Sequence, residues 1–60
     1  MQNSEYQEVN IVDFVIVKRQ RQKYQIAAID EYNNVVYNLP LTTFENAVEQ
    51  QAILKRLWNL

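Results

Sequence analysis

The chain reads as an α+β domain: a three-stranded antiparallel β-meander followed by one helix, associating as a homodimer. Three observations give this reading. Residues 9–39 hold three stretches rich in β-branched residues, joined by short polar connections. From residue 43 onward, helix formers recur at helical spacing. Between the two regimes lies Leu39-Pro40-Leu41-Thr42-Thr43-Phe44-Glu45, with the only proline of the sequence.

Met1 to Glu8 is polar and aperiodic and reads as a flexible N-terminal arm, with Tyr6 as its anchor candidate. Residues 9–60 form the single small domain. Val9 to Lys18 is the first strand, and both of its alternate faces are mostly apolar. Arg19 to Gln22 connects it to the second strand, Lys23 to Asp30. Glu31-Tyr32-Asn33-Asn34 makes the next turn, where asparagine tolerates a left-handed backbone. Val35 to Leu39 is the short third strand. Connections this short dictate antiparallel neighbours.

Loops centred on Gln20-Arg21 and Tyr32-Asn33 set a register. Val15 then opposes Ile26, Ala28 opposes Tyr37, and Lys18 faces Lys23. One sheet face collects Val9, Ile11, Val15, Val17, Tyr24, Ile26, Ala28, Val35, Tyr37 and Leu39, with Asp13 among them. The other collects Val12, Phe14, Ile16, Ala27, Ile29 and Val36. A slip of one residue in a hairpin reverses the sorting for that strand.

Pro40 ends the third strand because it has no N–H for a ladder. Thr42 with Glu45 three residues on reads as a capping box. Phe44, Ala47, Val48, Gln51, Leu54 and Trp58 keep helical spacing, and Lys55 and Arg56 suit a last helical turn. The spacing predicts a helix over 43–57. The rival reading stops it near Gln51 and makes Ile53 to Asn59 a C-terminal fourth strand.

One helix covers one face of such a sheet. The other face, with Val12, Phe14, Ile16 and Ile29, stays wet unless a partner covers it. Those four residues are therefore the expected dimer interface. Sixty residues support the same expectation. A chain this short buries only about 60% of its extended surface. There is no cysteine to staple it, and small domains without staples gain stability by association.

Composition narrows function. Histidine, cysteine and glycine are all absent. That removes the usual general base, the thiolate nucleophile, the commonest metal ligands and any Gly-rich phosphate loop. The expectation is no enzyme, no catalytic residue, no metal and no cofactor. No apolar run approaches the roughly 18 residues of a membrane span, and the start lacks a secretory pattern. The expected location is the cytoplasm.

Net charge is −1, but the charges are segregated. Lys18, Arg19, Arg21 and Lys23 form a basic hairpin tip that contacts phosphates on one reading and is a solvated loop on the other. A small nucleic-acid-binding or regulatory dimer built on that tip is the alternative function. Asp13, within an apolar face, is either a buried acid or the mark of a bulge, an edge or a paired charge. Asp30, Glu31, Glu45 and Glu49 are either ordinary surface and helix-capping acids or stand-ins for DNA phosphates. Glu45 belongs at the opposite end of the protomer from Asp30 and Glu31, so a continuous acidic strip needs a second subunit.

The order of elements resembles the small phage-encoded inhibitors of uracil-DNA glycosylase, short dimeric DNA-mimic early proteins. The resemblance rests on Tyr32 to Tyr37, then Leu41-Thr42-Thr43-Phe44-Glu45, then Ile53-Leu54-Lys55-Arg56-Leu57. It covers about half the chain. It implies a homodimer in the host cytoplasm that blocks a host repair glycosylase. Phe44 from both subunits is then expected to line an apolar pocket for the side chain that the enzyme inserts into DNA. Glu45 stands in for a DNA phosphate. Val48, one turn on, takes the place of a family tyrosine. Tyr37, Glu49 and Glu31 complete the expected partner-binding set. The basic tip is expected to point away from the enzyme's cationic surface.

Overall fold

The computed structural model describes residues 9–60, and the expected arm over 1–8, with Tyr6, lies outside the described residues. Strand β1 spans Ile11–Gln20, β2 spans Lys23–Asp30 and β3 spans Val35–Asn38. They form one antiparallel sheet in the order β1-β2-β3. Helix α1 spans Phe44–Leu57 and packs on β1 and β2. No helix among the described residues is long and apolar enough to cross a membrane.

The second hairpin keeps the expected register at Ala27 and Ala28, which oppose Asn38 and Tyr37. It shifts by one residue between Ala28 and Ile29, so that Ile29 opposes Val35 instead of Val36 and Val35 leaves the face expected to hold Tyr37. Its turn is fixed by Asp30, whose Oδ1 accepts from the N–H groups of Tyr32 at 2.9 Å and Asn34 at 2.8 Å. Asn33 takes the left-handed backbone, φ 68°.

The first hairpin differs from expectation by one residue. Ile16 opposes Ile26, and Val15 opposes Ala27. Gln20 pairs with Lys23 across a tight turn at Arg21 and Gln22, and Gln22 has φ 60°. Lys18 consequently faces Tyr24 rather than Lys23. The slip exchanges the two faces of β1. Phe14 and Ile16, expected on the uncovered face, lie beneath the helix, and Val15 and Val17 take the uncovered one. Burial of the larger side chains accounts for the exchange. Phe14 is 2% exposed, edge-on to Trp58 with ring centroids 5.2 Å apart.

The core consists of Phe14, Ile26, Ala28 and Ala47, with Ile11, Ile16, Tyr24, Leu39 and Leu54 packed against it. Ala27 is fully buried within the opposite face, beside Val15. That face has half-buried Val15, Val17, Gln25 and Ile29.

Asp13 marks a bulge, an edge and a paired charge at once. The register shifts between Ile11 and Asp13, β1 is an edge strand, and Asp13 pairs with Lys55 at 3.4 Å. The free edge of β1 is closed at Phe14. Its N–H donates to Asp13 Oδ1 at 2.8 Å, and its carbonyl accepts from Gln51 Nε2 at 2.6 Å.

The helix begins one residue later than the capping box predicts. Thr42 is held extended by paired backbone bonds to Tyr24, both 2.7 Å. Thr43 is therefore the N-cap, its Oγ1 accepting from Asn46 N–H at 3.2 Å. Thr42 Oγ1 instead accepts from Asn46 Nδ2 at 2.8 Å. At the far end Leu60 N–H donates to Lys55 O and Asn59 N–H to Arg56 O, with Asn59 at φ 60°. This is the left-handed helix stop that usually uses glycine. Ile53 to Leu57 is helical throughout.

Candidate partner-binding site

The candidate site forms where the sheet hands the chain to the helix. The Tyr24–Thr42 bridge pins the strand-to-helix connection beside β2, so the first helical turn starts next to the hairpin tip. Phe44 is delivered there with half its surface, 52%, exposed. Its ring meets Tyr24 edge-on at 5.1 Å. The two rings stand with Gln22, Thr43 and Glu45 around a cleft of about 390 Å³.

Helical geometry sets the rest. Val48 follows Phe44 by one turn and is 42% exposed, extending the apolar row. Glu45 and Glu49 form a parallel acidic row beside it, both exposed. Phe44, Glu45, Val48 and Glu49 thus share one end of the helix, as residues three and four apart do.

Tyr37 and Glu31 do not join them. Tyr37 lies on β3, which the helix does not cover. Glu31 follows Asp30 at the other end of the sheet, where its Oε1 accepts from Asn10 Nδ2 at 3.0 Å. Glu45 is therefore separated from Asp30 and Glu31, and no continuous acidic strip exists among the described residues of one protomer.

The expected dimer residues also divide. Phe14 is covered by the protomer's own helix and Ile16 packs on the same core, so neither is free to meet a second copy. Val12 is 41% exposed, and Ile29 is half-buried on the uncovered face.

The basic tip does not point away from the cleft. Gln22, inside the turn, lines it together with Phe44. Arg21 and Lys23 on either side are exposed. Arg19 is partly engaged, its Nε donating to Gln25 Oε1 at 2.7 Å. Sequence reasoning missed Tyr24 and Gln22 as cleft walls. The alternation of β2 placed Tyr24 on the core face, which is right, but gave no sign that the face ends there.

No group of three or more potential metal ligands occurs among the described residues. The fold and cleft define a class: a small α+β chain with a half-exposed aromatic ring at its helix start. No protein family, curated protein or solved structure matches the chain.

Proposed function

We propose that this chain is a non-catalytic protein inhibitor, acting as a homodimer, and that its target is a uracil-DNA glycosylase. The observation that carries the reading is the exposure of Phe44 beside Tyr24 at a cleft of about 390 Å³. A first-turn phenylalanine with only a core role would be covered. This one offers its ring to an incoming aliphatic side chain, as a DNA-intercalating residue of such an enzyme would be. Buried aromatic anchors of this kind carry much of the binding energy at protein interfaces. Glu45 and Glu49 accept hydrogen bonds from the donors that normally hold DNA phosphates, and bonds to a charged acceptor are the stronger class. The mimicry is confined to this short acidic row and Phe44. Glu31 and Tyr37 take no part in it.

The test is uracil excision from DNA with increasing inhibitor. Wild type suppresses excision, and Phe44→Ala weakens inhibition at least about tenfold, the scale of a modest interface anchor. Glu45→Gln weakens it less. Because Phe44 is half exposed, the variant keeps its helix and its association state. Unchanged excision at large excess of wild type removes the glycosylase reading. Equal inhibition by Phe44→Ala removes the cleft.

One observation favours a second reading. The hairpin cations stand beside two aromatic rings, an arrangement that suits single-stranded nucleic acid. Arg21→Ala separates the two readings by sign. Against a cationic enzyme surface its removal strengthens inhibition or leaves it unchanged. For nucleic acid it weakens binding and flattens the salt dependence. Duplex DNA is expected to bind weakly to this chain of net charge −1.

A further inference from the structure

Among the described residues, Gln22, Asn33 and Asn59 hold a left-handed backbone, at φ 60°, 68° and 60°. Asparagine suits that region because its short side chain finds local hydrogen bonds. Glutamine has no such help and is strained there. Gln22 is the second residue of the tight turn between β1 and β2, where hairpins normally use glycine or asparagine.

Position sets Gln22 apart. It lines the cleft with Tyr24, Thr43, Phe44 and Glu45, and neither Asn33 nor Asn59 does. Gln22 is exposed, and its carboxamide forms no hydrogen bond to another described residue. Gln25 and Gln51, by contrast, commit their amides to the carbonyls of Leu39 and Phe14. A strained turn residue whose side chain does nothing for the fold marks a place where that side chain serves something else.

We propose that the Gln22 carboxamide is a recognition group of the cleft, gripping the peptide group of the partner segment whose side chain enters beside Phe44. The assignment rests on the functional reading of the cleft as the seat of a partner's side chain, and not on which enzyme supplies it. A side chain that enters the cleft brings its own peptide N–H and C=O to the rim, and leaving them unpaired on desolvation is costly. Ionised Glu45 only accepts. Thr43 Oγ1 already accepts from the Asn46 N–H. Gln22 offers a donor and an acceptor in one plane, the match of a peptide group. Phe44 and Tyr24 select for apolar bulk, and Gln22 selects a polypeptide guest over a bare alkyl group.

Uracil excision and urea unfolding, run on the same variants, test this. Gln22→Gly is expected to raise the urea midpoint and yet weaken inhibition about fivefold, the scale of one neutral hydrogen bond. Gln22→Met, of similar length without the amide, is expected to weaken inhibition to the same degree with the midpoint unchanged. Asn33→Gly, a change of the same kind away from the cleft, should leave inhibition as it is. A turn residue with no other task gives a different result: Gln22→Gly or Gln22→Met inhibits as wild type does, and either overturns the proposal. A titration followed by nuclear magnetic resonance needs no enzyme. N-acetyl-leucine methylamide should move the amide signals of Tyr24, Phe44 and Glu45, and in Gln22→Met only at about fivefold higher concentration. Isoamyl alcohol, a branched alkyl group without a peptide, should act alike on both proteins. No movement in wild type, or equal movement in both with the blocked leucine, overturns the proposal. If wild type leaves excision unchanged while the titration runs as expected, the glycosylase reading falls and Gln22 keeps its role.

Discussion

Without glycine, this chain finds left-handed backbone elsewhere: at Gln22, Asn33 and Asn59. Asparagine visits that region with local hydrogen-bonding help, whereas an ordinary side chain there costs roughly 1–2 kcal/mol. Gln22→Gly should therefore raise stability by about 0.5–1 kcal/mol, and Asn33→Ala should lower it by about 1 kcal/mol. Urea midpoints at constant slope read both effects. The helix cap offers a second contrast between adjacent residues. Thr43 receives the Asn46 N–H, while Thr42 binds only an exposed side chain. Thr43→Ala should cost about 1 kcal/mol, and Thr42→Ala clearly less, since its backbone bridge to Tyr24 survives.

Element by element, legibility followed the turn chemistry. The turn of the second hairpin was readable because Asp30 and Asn33 mark their own positions, but the register shift between Ala28 and Ile29 was not. The turn of the first was not. Arg19 to Gln22 is uniformly polar with no asparagine, aspartate or glycine to show where φ turns positive. Both faces of β1 are apolar, so the pattern could not break the tie. One residue of slip then moved Phe14 from the expected dimer surface to the centre of the core. The helix was legible from spacing, and its start shifted only because a long-range pairing of Thr42 with Tyr24 outweighed a local capping signal. Phe44 stood out in the sequence through its neighbours, but its cleft depends on Tyr24 and Gln22, which only the folded hairpin brings near. The edge of β1 allows a further comparison. Gln51→Ala removes the partner of the Phe14 carbonyl and should cost about 1 kcal/mol. Lys55→Ala breaks a pair whose side chains are 40% and 47% exposed, and should cost less than about 1 kcal/mol, less still in high salt. Thermal melts at two ionic strengths distinguish them.

At the scale of the molecule, the buried core is small: Phe14, Ile26, Ala27, Ala28 and Ala47 are its only buried hydrophobic residues among those described. Phe14→Ala removes the largest core ring and should cost about 3–5 kcal/mol. That approaches the whole stability of a small domain, so this variant should be largely unfolded by dichroism. A core of this size and a bare β3 side together predict that folding is coupled to association. The melting temperature should then rise with protein concentration. A melting temperature independent of concentration across a wide dilution range would count against the dimer.

The hydrogen bond from Gln51 to Phe14 joins residues 37 apart in sequence. The hairpin is a local structure and forms its ladder early, as contacts between near neighbours do. Its outer strand, rich in valine and isoleucine, is shielded only once the helix has docked. During refolding there is an interval in which the hairpin exists and its edge is bare, a template for pairing with other chains. The helix therefore acts as a guard against aggregation as well as a core element. Truncating it should yield β-rich aggregates before it yields an unfolded monomer.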